Sequence, residues 1–380
     1  MNETNTITVP QSRMDRGFEQ YQAEYEEAAL RVLRSGWYIL GREVEQLEKD
    51  FASYIGTTYA VGVGNGLDAL HLAFRALDIG AGDEVIVQGN TYIASVMGIT
   101  MNGATPVFAE PDAYHLIDPD EIRKKITDKT KAVLVVHLYG QASRMEEIVA
   151  ICKEHDLKLV EDCAQSHGAF CGDTMTGAFG DIGCFSFYPS KNMGAFGDAG
   201  ACTTSDAALA QKLRVLRNYG SEKRYHNMVV GVNSRLDEMQ AALLGVKLSH
   251  MDEITNERQR IAARYDEGIH NPHVEKPLRC DGVTHVFHQY VLRVPTPEGS
   301  RENARDAFQK YLESCGIGTI IHYPIPPHRS EAYAYLNMPE GSLPITERLA
   351  TEVVSLPMFT GMTEEEEQQV IDSVNAWEGI

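Results

Sequence analysis

Short apolar runs alternate with helix-spaced stretches across the first two hundred residues. YAVGVG (Tyr59 to Gly64) is almost continuously apolar, the pattern of a strand buried on both faces. GLDALHLAFRAL follows, with Leu67, Leu70, Ala73, Phe74 and Leu77 at helical spacing. EVIVQG, TPVFAE, KAVLVVHLYG and LKLVEDCA repeat the strand pattern, and GCFSFYP and GACTTS add two more. Such strands, separated by helices, predict an α/β architecture with a mostly parallel sheet covered on both sides.

The pattern then changes. One long helix is expected from about Ser234 to Gly268, with Leu236, Met239, Leu243, Val246 and Met251 as its apolar stripe. HVFHQYVLRV alternates like a half-buried strand, ENARDAFQKYLESCG is an amphipathic helix, and GTIIHYP is a further short strand. TEEEEQQVIDSVNAW closes the chain as a helix whose Thr363 and Glu366 form a capping-box pattern. These segments predict a large α/β domain over residues 1–250, including an N-terminal helical segment, and a smaller α+β domain over 251–380.

The chain has 380 residues, enough for two closely packed lobes. Its net charge of −20 argues against an extended nucleic-acid surface and against polybasic docking on a membrane. No apolar run reaches the roughly 18 residues of a membrane span, and MNETNTITVP lacks the apolar centre of a secretory leader. The seven cysteines show no CxxC spacing, which suits reduced thiols and a cytoplasmic protein. No metal is expected. His322 and His328 flank a stiff run of prolines, and no Asp/Glu/His cluster has ligand spacing.

The chemistry concentrates in three places. Lys191 lies in the small-residue turn PSKNMGAFGDAG directly after an apolar strand, where an amine can form a Schiff base with a carbonyl cofactor. Asp162 ends the strand LKLVED, where open parallel sheets bind ligands, and a carboxylate buried there needs a cation. Asn65 and Gly66 join a strand to a helix, whose free N–H groups attract a phosphate, with Ser186 as a further donor. Each alone also fits a plainer reading: a solvated lysine, a helix-capping aspartate, a tight turn. Together they ask for an aldehyde, a pyridinium and a phosphate on one molecule, pyridoxal 5′-phosphate. The incomplete glycine pattern and Lys191 count against a dinucleotide-binding dehydrogenase.

SFYPSKNMGAFGDAG, EDCAQSHGA and GVNSRLDEMQAA are the most specific motifs of a resemblance covering nearly the whole chain. The chain resembles the nucleotide-sugar aminotransferase family, often called DegT/StrS, within the fold type I pyridoxal-phosphate enzymes. The resemblance implies a seven-stranded-type sheet. It makes Lys191 the Schiff-base lysine and Asp162 the partner of the pyridine nitrogen. Gln165 then lies beside the phenolic oxygen, Tyr92 stacks on the ring, and Ser186 with the Gly66–Leu67 backbone holds the phosphate. Asn233 reaches that phosphate from a neighbouring subunit, which implies a homodimer with shared active sites.

Where most of the family reads Ser-Gly-Thr, this chain reads Asn65-Gly66-Leu67, so one hydroxyl contact to the phosphate is missing. That variant looks like the branch aminating C-3 of dTDP-3-keto-6-deoxyhexoses. A lysine at 191, where related sugar 3-dehydratases carry histidine, favours the aminotransferase. The implied reaction is ping-pong transfer from L-glutamate, releasing 2-oxoglutarate and leaving pyridoxamine phosphate to meet the sugar ketone. Trp37, Tyr38, Tyr188, Tyr219, Arg224, His322 and Tyr323 are candidate sugar-nucleotide contacts, since aromatic faces suit thymine and hexose rings. Amination of a 4-keto sugar nucleotide or a keto-inositol, and a cofactor-binding regulator without turnover, are the alternatives. Residues 211–235 carry six basic side chains against a single acid, Glu222. Part of that segment, Arg224 and Arg235 above all, is expected to serve a phosphate or pyrophosphate across a subunit interface.

Overall fold

The computed structural model describes residues 6–380, so the N-terminal reading of residues 1–5 lies outside it. Three helices come first: α1 (Met14–Gln20), α2 (Gln22–Ser35) and α3 (Arg42–Ile55). The strands β1 (Tyr59–Val63), β2 (Glu84–Gln88), β3 (Thr105–Ala109), β4 (Thr130–Val136) and β5 (Lys158–Asp162) follow. After the two-residue strands β6 (Phe170–Cys171) and β7 (Thr174–Met175) come β8 (Ile182–Ser186) and β9 (Gly200–Thr204). Interleaved with or following these strands are α4 (Gly66–Ala76), α5 (Ile93–Thr100), α6 (Pro119–Lys125), α7 (Met145–Glu154) and α8 (Ala207–Leu216).

One seven-stranded sheet runs in the order β1-β9-β8-β5-β4-β2-β3. Only β9 is antiparallel to its neighbours; every other pairing is parallel. The apolar runs read in the sequence are these strands, and a strand such as β4 is buried at every position but Lys131. One core packs on each side of the sheet. Leu70, Phe74 and Val87 belong to the first, and Ile86, Val133 and Ile148 to the second.

The expected long helix is two. α9 (Glu238–Ser249) and α10 (Met251–Gly268) break at His250, whose ring stacks on Tyr21 at 3.8 Å. The strand expected over HVFHQYVLRV is shorter, β12 (Tyr290–Arg293), because Phe287 takes a positive φ of 46° and turns the chain before the ladder starts. GTIIHYP forms no strand; Ile320 alone bridges to Ser355, beside β13 (Val353–Leu356), which pairs with β12. The preceding β10 (Ser221–Lys223) and β11 (His226–Asn227) form a small exposed hairpin. α11 (Ala304–Ser314), α12 (Pro344–Glu352) and α13 (Glu364–Asn375) complete the chain, and α13 opens with the expected capping box. A separate core joins α10, α11, α13 and both strands of the second sheet, and Val9 belongs to it. No helix among the described residues is long and apolar enough to cross a membrane.

Candidate active site

The carboxyl ends of β1, β2, β4, β5 and β8 open onto one cavity of about 660 Å³. Asn65, Gly66, Leu67, Tyr92, Asp162, Gln165, Ser186, Tyr188, Lys191, His322 and Tyr323 are all on its wall.

At one end β1 turns into α4. Asn65 caps the helix, its side chain accepting from Asp68 N–H at 2.9 Å. Ser234 holds the turn from outside, donating to Asp68 Oδ2 at 2.6 Å and accepting from Gly64 N–H at 2.9 Å. Gly66 sits so close to Ser186 that a Cβ on it would come within 2.5 Å of the Ser186 Cβ. The free N–H groups of the helix start and the Ser186 hydroxyl thus share a cup that admits no extra side-chain atom, which fits a phosphate.

Asp162, at the end of β5, is 6% exposed and makes no direct ion pair among the described residues, although the charge of Lys191 reaches it. Its Oδ2 accepts from Ser95 Oγ at 2.7 Å and its Oδ1 from Ala164 N–H at 3.1 Å. Burial pushes its carboxyl up from the usual range, while the two hydrogen bonds and the charge of Lys191 pull the other way. A carboxylate in that condition fits a protonated ring nitrogen.

Lys191 lies in the turn after β8. The turn closes tightly: a Cβ on Gly194 would come within 2.2 Å of the Pro189 carbonyl oxygen. Burial pushes the Lys191 amine down to about 8, opposed by Asp162. The amine donates to no described acceptor, so it is free to react.

The walls are held by a second layer. Gln165 Oε1 accepts from Tyr139 N–H at 2.6 Å and its amide donates to Tyr323 OH at 3.0 Å. The Tyr323 ring lies 5.2 Å from that of Tyr92. His322 bonds Ser355 Oγ at 2.8 Å, and burial with the nearby Lys191 charge pushes it down to about 4. His288, also on the wall, bonds Asn192 Oδ1 at 3.2 Å and is held well below the ordinary histidine range, so both imidazoles are neutral.

Five residues singled out in the sequence do not line this cavity in their own chain: Trp37, Tyr38, Tyr219, Arg224 and Asn233. All five are exposed. Arg224 is at the tip of the hairpin, next to Tyr225, which is 87% exposed. Arg235 bonds Asn218 Oδ1 at 3.2 Å and lies over the Tyr219 ring. Ser95, Thr91, Asn192 and His288 were not singled out in the sequence: Asn192 lies inside the Lys191 motif without a role of its own, and the others read only as parts of elements.

Spacing gave no metal site, yet the fold does bring ligand atoms of His137, Glu161 and Cys163 within 4.8 Å of one another. Glu161 is already occupied: its oxygens accept from the N–H groups of Gly177, Phe179 and Gly180 and bond His137. The His137 Nδ1 accepts from Ser143 N–H. The cluster ties strands to loops.

A family model described as the DegT/DnrJ/EryC1/StrS aminotransferase family matches residues 19–375. A transaminase of Aneurinibacillus thermoaerophilus, named for dTDP-3-amino-3,6-dideoxy-α-D-galactopyranose, is 53% identical over 94% of this chain and 96% of its own. One from Streptomyces venezuelae, named for dTDP-3-amino-3,4,6-trideoxy-α-D-glucose, is 43% identical over 99% and 98%. The crystal structure of S. venezuelae DesV in complex with a ketimine intermediate superposes with a TM-score of 0.93 at 44% identity, over 97% and 98% of the two chains.

Proposed function

The chain belongs to the DegT/DnrJ/EryC1/StrS family of pyridoxal-phosphate aminotransferases, and from that premise we propose that it moves an amino group from L-glutamate to the C-3 ketone of a dTDP-linked 3-keto-6-deoxyhexose. One observation carries the reading. A lysine amine with no hydrogen-bond acceptor and a buried carboxylate with no cation in contact face the same cavity, which ends in the glycine-walled cup at a helix start. The C-3 assignment is supported by the two transaminases above, both named for 3-amino sugars.

The bound cofactor supplies an electrophilic aldehyde and a ring that takes up electrons. Lys191 is the amine that would hold it, and with the amino donor in place the same amine would serve as the base for the proton at the donor's α-carbon, for which a lowered pKa suits it. Asp162 would pair with the protonated ring nitrogen, an interaction that favours its ionised form against the push of burial. Ser186 and the N–H groups of Gly66 and Leu67 hold the phosphate. Gln165 serves the phenolic oxygen, Tyr92 covers the ring, and His322, Tyr323 and Tyr188 meet the hexose.

The reading extends to a homodimer. The exposed Asn233, Arg224, Tyr219, Trp37 and Tyr38 then act in the partner's site, with Asn233 at its phosphate. Residues 251–380 form the smaller domain. A cytoplasmic location accords with seven unpaired cysteines.

The test uses purified protein and dTDP-linked 3-keto and 4-keto sugars of both C-4 configurations. The protein is expected to be yellow, to bleach on addition of L-glutamate, and to give a 3-amino product by NMR. Amination of the 4-keto sugars alone overturns the C-3 assignment, and steady-state turnover by Lys191→Ala overturns the role of that lysine.

A further inference from the structure

Behind the Lys191 turn lies a second cavity, of about 260 Å³. Its walls are the segment from Ser12 to Phe18, the turn from Pro189 to Phe196, the facing sides of α9 and α10, and Phe359–Thr360. It meets the cofactor cavity at Ser190 and Lys191, which line both.

Its wall is cationic. In a chain of net charge −20, the wall carries Arg13, Lys191, Lys247 and Arg258 and no aspartate or glutamate. Arg13 is committed, forming an ion pair with Asp15 at 2.5 Å. Lys247 has no hydrogen-bond or ion-pair partner among the described residues. Arg258 is 6% exposed. Its Nη1 donates to the carbonyls of Phe287 at 2.9 Å and His288 at 3.3 Å, while its Nε finds no acceptor. The carboxylate nearest Arg258 in sequence, Glu257, accepts from Gly361 N–H at 2.8 Å and does not line the cavity. Burial pushes Lys247 down to about 8 and Arg258 to about 10, and the Arg258 charge lowers Lys247 further. Arg258 is buried with only the charge of Glu257, outside the cavity, in its favour, and the half-buried Lys247 faces it with no counter-charge of its own, so an anion between the two would offset their repulsion.

The cofactor cavity has the complementary gap. It is lined by no arginine, and its only lysine is Lys191. A dicarboxylate brought to Lys191 finds no second cation of the same chain on the cavity wall for its far end.

We propose that the second cavity is a binding site for a small carboxylate anion, with Lys247 and Arg258 as its counter-charges. The carboxylate has two possible sources: the amino donor or its oxo-acid product reaching past Lys191, or a free small anion such as acetate. The first source rests on the donor reading above; the site itself does not.

Glutarate, which carries no amino or keto group, is the probe. Calorimetric titration of the cofactor-loaded protein is expected to show binding that weakens about tenfold or more in Lys247→Gln, the effect of losing one charge-assisted contact. Cofactor content stays unchanged, and thermal stability is unchanged or higher because an unpaired buried charge is gone. Arg258→Lys, which retains the charge but not the fork, is expected to weaken binding less. Glutarate that competes with L-glutamate while acetate does not marks the donor's carboxylate. Equal binding of acetate and glutarate without competition marks a free-anion site. No binding to the wild type, or equal affinity in wild type and Lys247→Gln, overturns the proposal. The yellow colour and its bleaching by glutamate are read separately, so failure here leaves the cofactor reading intact.

Discussion

Ser95 donates its hydroxyl to Asp162 Oδ2 at 2.7 Å, joining the first turn of α5 to the end of β5 across 67 residues of sequence. Thr91 lies 2.8 Å from the same hydroxyl. The chain runs from β2 into α5 at this point, so a helix start is laid against the strand that carries the carboxylate. The bond favours the ionised form of a group that burial pushes toward neutrality.

Ser95→Ala is therefore expected to raise the Asp162 pKa further and to weaken its hold on a ring proton. A hydrogen bond to a charged group contributes about 1.5–3 kcal/mol, so kcat should fall about tenfold or more. The KM for L-glutamate should move little, because Ser95 has no role in carrying the donor. Ser95→Thr, which keeps the hydroxyl, should recover part of the loss. An unchanged kcat in Ser95→Ala would mean that Ala164 N–H alone suffices.

Gly66 and Ser186 approach each other so closely that only a missing Cβ allows it. Gly66→Ala should push the start of α4 away from Ser186 and open the phosphate cup. Overpacking of this kind costs about 1–3 kcal/mol. Dialysis against a range of pyridoxal phosphate concentrations should show retention weaker by about fivefold or more. The double variant Gly66→Ala/Ser186→Gly, which restores the space but lacks the hydroxyl, should lie between the two. Equal retention in Gly66→Ala and wild type would remove the phosphate from this cup.

Lys191 has its pKa lowered from 10.5 to about 8, chiefly by burial. A neutral amine is needed to capture an aldehyde. Capture of pyridoxal phosphate by the cofactor-free protein, followed by absorbance, should accelerate with pH and level off above about 8. An ordinary lysine would go on gaining until beyond 10. Stability carries the same signature. Between about 8 and 10.5 the unfolded chain binds the extra proton, so the cofactor-free protein should gain stability as pH rises through that window. Lys247 titrates over the same window, so Lys191→Met should reduce the slope and the double variant with Lys247→Gln should reduce it further, which a series of thermal melts would reveal.

The sheet and the chemical centre were legible because both are local. Asp162, Ser186 and Gly66 each lie at the end of an apolar run or one turn beyond it, and Lys191 lies in the glycine-rich turn that follows. What stayed hidden depends on contacts between distant segments. Ser95 reads as an ordinary residue of a helix start until α5 is placed beside β5. His250 breaks a helix with neither proline nor glycine, where its ring finds Tyr21. Lys247 reads as a solvated helix lysine, and only the packing of α9 and α10 behind the Lys191 turn shows it without a partner. The His137–Glu161–Cys163 cluster has no ligand spacing because its members come from two neighbouring strands and the residues that end them.

Trp37, Tyr38, Tyr219, Arg224 and Asn233 stand apart from their own cavity, and the hairpin tip projects Arg224 and Tyr225 into solvent beside the exposed Met228, Val229 and Val230. A basic, apolar-flanked arm of this kind suits a neighbouring copy better than water. Complementation tests it. A Lys191→Ala chain lacks the amine but has an intact arm. A chain in which residues 222–227 are replaced by a short glycine linker has the amine but no arm. Each alone should be nearly inactive. Mixed dimers hold one site with both parts, so a random mixture should recover about a quarter of wild-type activity. Mixed dimers, verified by differently tagged chains, that stay inactive would show that the arm does not serve the partner's site. A shortened-arm protein with full activity on its own would show the same.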